Sequence, residues 1–132
     1  MDHDQIVLGD ITFTSHEVTR TYLALMIQSQ NAIILHDSDG FRYVNPAGLR
    51  LFGVPELSDL RKCSLTDFIC EESREAVATL LATCTSHTKS AIAAKLHNKL
   101  AQQIAVEITA TAIVAGGQEI VQAVLRDVSA AS

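Results

Sequence analysis

The sequence predicts an α+β fold: a five-stranded antiparallel sheet with helices packed on one face and an amphipathic N-terminal helix. Two stretches carry apolar residues at helical spacing, the last third of the chain alternates apolar and polar residues, and turn sequences join neighbouring strands. Helices grouped between a hairpin and three further strands favour a helical layer on one side of the sheet. The 132 residues match one folded domain. We divide them into a leader with its helix, residues 1–28, and the domain itself, residues 29–132.

The first 28 residues predict the leader and one helix. Residues 1–13 contain a short run of apolar residues without clear helical or strand periodicity, and we interpret them as the leader. Thr14 and Glu17 have the spacing of a capping box, so a helix is expected to begin there. Its apolar stripe needs a cover, either the outer face of the sheet or a second copy of the chain. The predicted dimer contacts are Val18, Tyr22, Leu25 and Met26.

A hairpin and a short helix follow. Ala32–Asp37 is rich in branched apolar residues and predicts a strand, and the sequence Ser-Asp-Gly joins it to a second strand at Phe41–Val44. Asn45 is a favoured residue for capping a helix, and Pro46 loses no hydrogen bond at the first helical position. This helix is predicted to end near Gly53.

The rest of the chain predicts the remaining helices and three strands. Residues 54–69 contain helical pieces of a turn or two, and a longer amphipathic helix runs from Glu71 to near Ser86. Beyond it the hydrophobic period changes to two, which predicts strands around 92–97 and 106–111. A Gly-Gly turn then leads into a third strand at Glu119–Val128.

This order of motifs resembles the PAS domain family, the sensory box of bacterial and archaeal signal-transduction proteins. Asn31–Val54 resembles the first half of a PAS domain, with its apolar strand, Asp-x-Asp-Gly turn, second strand and Asn-Pro-Ala helix start. Ser64–Ile69 is similar to the middle helix of the family, and Val124–Ser129 resembles its closing motif. The resemblance covers nearly the whole chain beyond the leader.

The resemblance implies a sensory module of a larger signalling protein. Such a domain senses through a small cavity between sheet and helices, pairs with another copy, and passes a conformational bias to an effector domain at its C-terminus. A histidine kinase, a diguanylate cyclase and a transcriptional regulator are the implied hosts. Two alternatives stay open: a haem- or flavin-bearing redox or gas sensor, and a structural dimerisation domain that binds no ligand.

The inward faces around the helical block predict the ligand pocket. These faces are apolar and nearly without charge, so the expected ligand is a small apolar molecule. The same residues would equally form a filled core. The predicted lining is Leu49, Phe52, Phe68, Val77, Leu81, Ile92, Val106, Ile108, Ala123 and Leu125.

Charge and hydropathy argue against several classes of partner. The net charge is -5 and the ten Lys and Arg residues are scattered, so we expect no nucleic acid to bind. The longest apolar stretch, Tyr22–Ile27, is far shorter than the ~20 residues that span a bilayer, so no membrane insertion is expected. The acidic N-terminus does not resemble a secretory signal, and we therefore expect a cytoplasmic protein.

The cysteines and histidines of the sequence do not lie in the motifs that flavin, haem or metal binding requires. A flavin photoreceptor of the LOV subclass needs a Cys within Asn-Cys-Arg-Phe-Leu-Gln, and Cys63 lacks that motif. Haem-binding PAS domains use an axial His, but His87 lies in a polar stretch and His97 shares a strand face with Lys95. The spacings of the three cysteines fit neither a redox pair nor a zinc site. We predict no metal and no cofactor.

No catalytic constellation is predicted, so the chain is not expected to be an enzyme. Asp37 and Asp39 lie in a turn before Gly40, where acids commonly serve structure instead of acid–base chemistry. His36 shares a strand face with Ile34, which favours a structural histidine with its hydrogen bonds satisfied.

Overall fold

The computed structural model describes residues 5–8, 11–14, 24–37, 40–61, 63–85, 91–115 and 117–128. Its helices and strands in chain order are β1 (Gln5–Leu8), β2 (Ile11–Thr14), α1 (24–28), β3 (Ala32–Asp37), β4 (Gly40–Val44), α2 (Pro46–Phe52), the 3-10 turns η1 (Leu57–Leu60) and η2 (Leu65–Phe68), α3 (Glu71–Thr83), β5 (Ala91–His97), β6 (Gln103–Ala115) and β7 (Gln118–Asp127). Among these, no helix has the length and apolar character needed to cross a membrane.

The five strands of the domain form one antiparallel sheet in the order β4-β3-β7-β6-β5. β6 and β7 pair along a continuous register from Val106↔Asp127 to Ala115↔Gln118. β7, the last strand in the chain, therefore lies at the centre of the sheet between β3 and β6. The predicted fold class is confirmed.

Capping residues mark the ends of α2 and the start of η2. The Asn45 side chain accepts a hydrogen bond from the N–H of Gly48, and α2 ends at Gly53, whose φ of 74° is the left-handed conformation that glycine adopts without strain. At η2 the backbone N–H of Ser64 donates to the Asp67 carboxylate at 2.8 Å. The short helices predicted from the sequence are therefore present, each with a local cap.

The main hydrophobic core lies between these helices and one face of the sheet, which we call the inner face. The strands contribute side chains at alternate positions, as the pleat requires. The buried members of this core are Ala32, Ile34, Phe41, Val44, Phe52, Leu60, Leu65, Phe68, Ile69, Val77, Leu80, Ala94, Leu96, Val106, Ile108, Ala110, Ala123 and Leu125.

A smaller cluster covers part of the opposite, outer face. Met26 of α1 packs there against Leu35, Tyr43 and Ile120. The structure also pairs β1 with β2 inside the segment interpreted as a leader, an element that the sequence analysis does not predict. Thr14, the expected helix cap, is the last residue of β2, and the start of the predicted helix lies outside the described residues.

Candidate functional site

All ten predicted pocket residues belong to the core under the inner face. Seven are buried in it, and Leu49, Leu81 and Ile92 are partly buried against it. Two of them touch each other directly, because the ring centroids of Phe52 and Phe68 are 4.7 Å apart. Phe41 completes the cluster at 5.5 Å and 6.3 Å from these rings. Aromatic side chains therefore fill this end of the interior.

His36 is a half-buried residue on the inner face, and its hydrogen bonding differs from the prediction. Its Nε2 atom is buried without a hydrogen-bond partner, so the prediction of a fully satisfied histidine is wrong. An interaction with the backbone of Asp37 raises the pKa of the ring. We assign the ring proton to Nδ1, which leaves the buried Nε2 as an acceptor.

Burial keeps the His36 ring neutral. Desolvation is the largest influence and lowers its pKa below the ordinary value of 6.5, although the hydrogen bond and the charge of Asp37 act in the opposite direction. The position pairs with Phe41 and Val121 in the neighbouring strands, beside a register shift between Leu35 and His36. The alternation with Ile34 indicated this face, but no pattern in the sequence indicated that a partner would be missing.

Asn45 anchors the entry of the chain into the domain. Its Oδ1 accepts from the N–H groups of Ile33 and Gly48, both at 2.9 Å. Its Nδ2 donates to the carbonyls of Met26 at 2.8 Å and Asn31 at 3.0 Å. One side chain thus fixes the end of α1, the start of β3 and the start of α2.

Asn98 is a second anchor, and the sequence analysis did not identify it. Its Nδ2 donates to the carbonyl of Leu51 at 3.1 Å and to the Gln102 side chain at 2.9 Å, and its Oδ1 accepts from the N–H groups of Leu100 and Gln102. The N–H of the next residue donates to the carbonyl of Phe52. These bonds hold the β5–β6 turn against the last turn of α2.

The predicted dimer residues separate into exposed and buried positions. Val18 and Tyr22 lie outside the described residues. Leu25 is 64% exposed, whereas Met26 is 1% exposed and packs on the outer face of its own sheet. Met26 therefore serves the fold of a single chain, while Leu25 is presented on the surface together with Ile27.

Within the described part of the chain, the other residues considered for chemistry do not come together as a site. Asp37 accepts an ion-paired hydrogen bond from Arg42 at 2.7 Å, and Asp39 lies outside the described residues, as does His87. His97 is exposed beside Lys95 on the same strand face. Within the described ranges no three His, Cys, Asp or Glu side chains come together as metal ligands would.

Two surface clefts lie at opposite ends of the inner face. The first, which we call the α2–β7 cleft, has a volume of about 280 Å³ and is lined by Gln30, Ala32, Ala47, Arg50, Leu51, Gln102, Ile104, Leu125 and Asp127. The second, the β6–β7 cleft, has a volume of about 380 Å³ and is lined by Cys84, Thr85, Ala112, Ile113, Val114 and Glu119. Leu125 alone among the ten predicted pocket residues lines either of these two clefts.

The thiol in the β6–β7 cleft is not activated. Burial raises the pKa of Cys84, a hydrogen bond with its own backbone lowers the pKa by less, and the negative charge of Glu119 raises it further. The thiol donates weakly to the carbonyl of Leu81 at 3.5 Å. A protonated thiol beside a carboxylate is a poor nucleophile, so this cleft offers no cysteine chemistry.

Comparison with known proteins agrees with the fold. Residues 21–84 match the family model described as a PAS domain. No curated protein sequence matches the chain.

Several solved structures share the fold at low sequence identity. The PAS domain of an HTR-like protein from Haloarcula marismortui has a TM-score of 0.68 and 21% identity, covering 83% of this chain and 92% of that one. A PAS domain from a two-component sensor histidine kinase has a TM-score of 0.64 and 14% identity, covering 83% and 96%. The Rhodobacter sphaeroides LOV protein has a TM-score of 0.68 and 11% identity, covering 89% and 71%. Residues 21–84 therefore match the PAS domain family in sequence, and most of the chain shares the PAS fold.

Proposed function

We propose that this PAS domain is the input module of a larger signalling protein and that it binds a small apolar ligand between its helices and the inner face. The observation that carries the proposal is the unpaired Nε2 of His36 at the edge of that apolar interior. A buried acceptor without a donor destabilises a protein by about 1–3 kcal/mol. A ligand that supplies a donor recovers this free energy, so binding favours the liganded state.

The proposed ligand is apolar with one hydroxyl or N–H group. The apolar part would lie among the core side chains, and the donor would meet the neutral His36 ring. The structure has the interior closed around Nε2, so entry requires core side chains to move. Ala110 and Ala123, which are paired across β6 and β7 at the middle of the inner face, are the smallest side chains there and leave the most room for such movement.

Native mass spectrometry of the purified chain tests this proposal. We expect a retained small molecule, and we expect the Ala123→Leu variant to lose it because the larger side chain occupies the interior. Ala105→Leu is the matched control, since Ala105 lies on the outer face of the neighbouring strand. The proposed ligand would be contradicted if the chain retains no small molecule and its NMR spectrum does not change when apolar alcohols are added. An intense visible absorption band would favour a haem or flavin sensor instead.

A ligand-free dimerisation domain is the second reading, and a specific observation favours it. The contact between Phe52 and Phe68 already fills part of the predicted pocket. If the interior is filled throughout, the domain would signal through its contacts with a second copy alone.

We further propose that the domain forms a homodimer through α1 and the outer face. α1 turns Met26 inward onto the sheet and leaves Leu25 and Ile27 exposed, so its outward side remains apolar. The effector would follow β7, whose central position couples it to both neighbouring strands. A histidine kinase, a diguanylate cyclase and a transcriptional regulator are the proposed hosts, and one structural neighbour comes from a sensor histidine kinase.

Light scattering tests the dimer. The double substitution Leu25→Glu and Ile27→Glu is expected to give a monomer, because charges in an apolar interface oppose association. Leu100→Glu is the control, since Leu100 is equally exposed but lies on the β5–β6 turn. A dimer that survives the double substitution would refute this placement.

A further inference from the structure

The α2–β7 cleft combines an apolar floor with a charged rim. Ala32, Ala47 and Leu125 at its floor are buried residues of the domain, whereas Gln30, Arg50, Gln102 and Asp127 at its rim are exposed. Such a combination of apolar surface with a few polar groups is typical of small-molecule sites.

The rim carries one positive and one negative charge. Arg50 is exposed, and its guanidinium forms no ion pair within the described ranges. Asp127 already takes part in an interaction of its own and supplies the negative charge. The amide of Gln102 is held in place by Asn98 at 2.9 Å. A simple anion would meet attraction at one residue and repulsion at the other, whereas a zwitterion complements both.

We propose that the α2–β7 cleft is a second binding site for an α-amino acid with an apolar side chain. The carboxylate would pair with Arg50, the ammonium group would lie towards Asp127, and the side chain would cover the apolar floor. A volume of about 280 Å³ corresponds to roughly nine water molecules at about 30 Å³ each, so a ligand of about nine non-hydrogen atoms fits. Leucine has this size.

The position of the cleft gives its occupancy a structural consequence. Ala32 is the first residue of β3, and Asp127 is the last residue of β7. A ligand seated between them would connect the point where the chain enters the sheet with the point where it leaves. It would also press against α2, which Asn45 and Asn98 hold at its two ends. The cleft shares only Leu125 with the predicted lining of the interior pocket.

Titration of the isotope-labelled whole chain by NMR tests the proposal. L-Leucine is expected to shift the backbone amides of Leu51, Gln102 and Ile104 in a saturable way. 4-Methylpentanoate, which lacks the ammonium group, and isoamylamine, which lacks the carboxylate, are expected to bind at least about tenfold more weakly, as one lost charge-assisted interaction predicts. Arg50→Gln should weaken leucine binding by a similar factor. Arg126→Gln is the matched control, because Arg126 is an exposed arginine paired with Glu107 on the outer face.

Several outcomes would overturn the site. These are no saturable shift up to about 10 mM leucine, equal affinity in Arg50→Gln, or equal affinity for 4-methylpentanoate or isoamylamine. The Ala123→Leu variant keeps this test apart from the proposed interior ligand. If Ala123→Leu still binds leucine, the result supports the cleft even when the interior is empty. If Ala123→Leu loses leucine binding while Arg50→Gln keeps it, the ligand lies in the interior and the cleft proposal is refuted.

Discussion

Asn45 and Asn98 do the same task at the two ends of α2, yet their surroundings differ. Asn45 is fully buried, and its four hydrogen bonds reach backbone groups that lie up to 19 residues from it in sequence. Asn98 is 7% exposed, and three of its four bonds stay within its own turn. Asn45 therefore organises the fold across long sequence distances, whereas Asn98 mainly shapes a turn and joins it to α2 once.

Replacing Asn45 should cause the largest loss. Asn45→Ala leaves the N–H of Gly48 and the carbonyl of Met26 without this partner inside the protein, and each such group costs about 1–3 kcal/mol. We expect the free energy of unfolding to fall by about 3–5 kcal/mol, as measured by chemical denaturation. Asn45→Ser can keep the helix cap but cannot reach α1, so a smaller loss is expected. If the two variants are equally stable, the cap contributes nothing; if Asn45→Ser is as stable as the wild type, the cap is the only bond that matters.

Replacing Asn98 should cost less and act locally. Asn98→Ala removes the partner of the Leu51 carbonyl and of two turn N–H groups close to solvent, so we expect a loss of about 1–2 kcal/mol. Hydrogen exchange should rise in the β5–β6 turn and at the end of α2 while the start of β3 stays protected. If hydrogen exchange also rises at residues 24–33, the two asparagines belong to one cooperative unit, and Asn98 does not act only locally.

The two anchors also show which parts of the fold can be read from the sequence. Asn45 was predicted as a helix cap because its partner Gly48 is three residues away, but its bonds to Met26 and Asn31 were not. Asn98 gave no signal, because the carbonyl it meets, that of Leu51, lies 47 residues earlier in the chain. Local caps and the spacing of apolar residues predicted β3, β4, β5, β7 and α2 to within about one residue at each end, since these depend on neighbours in sequence. β6, which runs over Gln103–Ala115, is longer than the predicted 106–111.

The candidate site was harder to predict for the same reason. Periodicity identified all ten inward residues, because the side that a side chain faces follows from spacing alone. Whether Phe52 would meet Phe68 in the interior, or leave a space beside it, depends on the angles at which α2 and η2 pack. Arg50 was not selected at all, since the cleft beneath it is built from four separate segments of the chain.

His36 differs from both asparagines, because its buried Nε2 atom has no hydrogen-bond partner. The unfolded chain takes up a proton at His36 near pH 6.5, whereas burial lowers the pKa of His36 in the folded chain. The unfolded state thus binds more protons between the folded pKa and 6.5. The free energy of unfolding is therefore highest above about pH 6.5 and falls as the pH drops through 6.5 towards the folded pKa.

His36→Phe should remove this part of the pH dependence. Above pH 7 the substitution is expected to change the free energy of unfolding by less than about 1.5 kcal/mol, because one hydrogen bond to the Asp37 backbone is lost together with one unpaired acceptor. Denaturation curves between pH 5 and 8 measure the effect, and His97→Gln, on an exposed position, should keep the wild-type slope. If His36→Phe shows the same acid-dependent loss as the wild type, His36 is not the group that resists protonation. An unchanged slope would also imply that Nε2 finds a partner in solution, and the interior would then offer no unmatched acceptor for a ligand to satisfy.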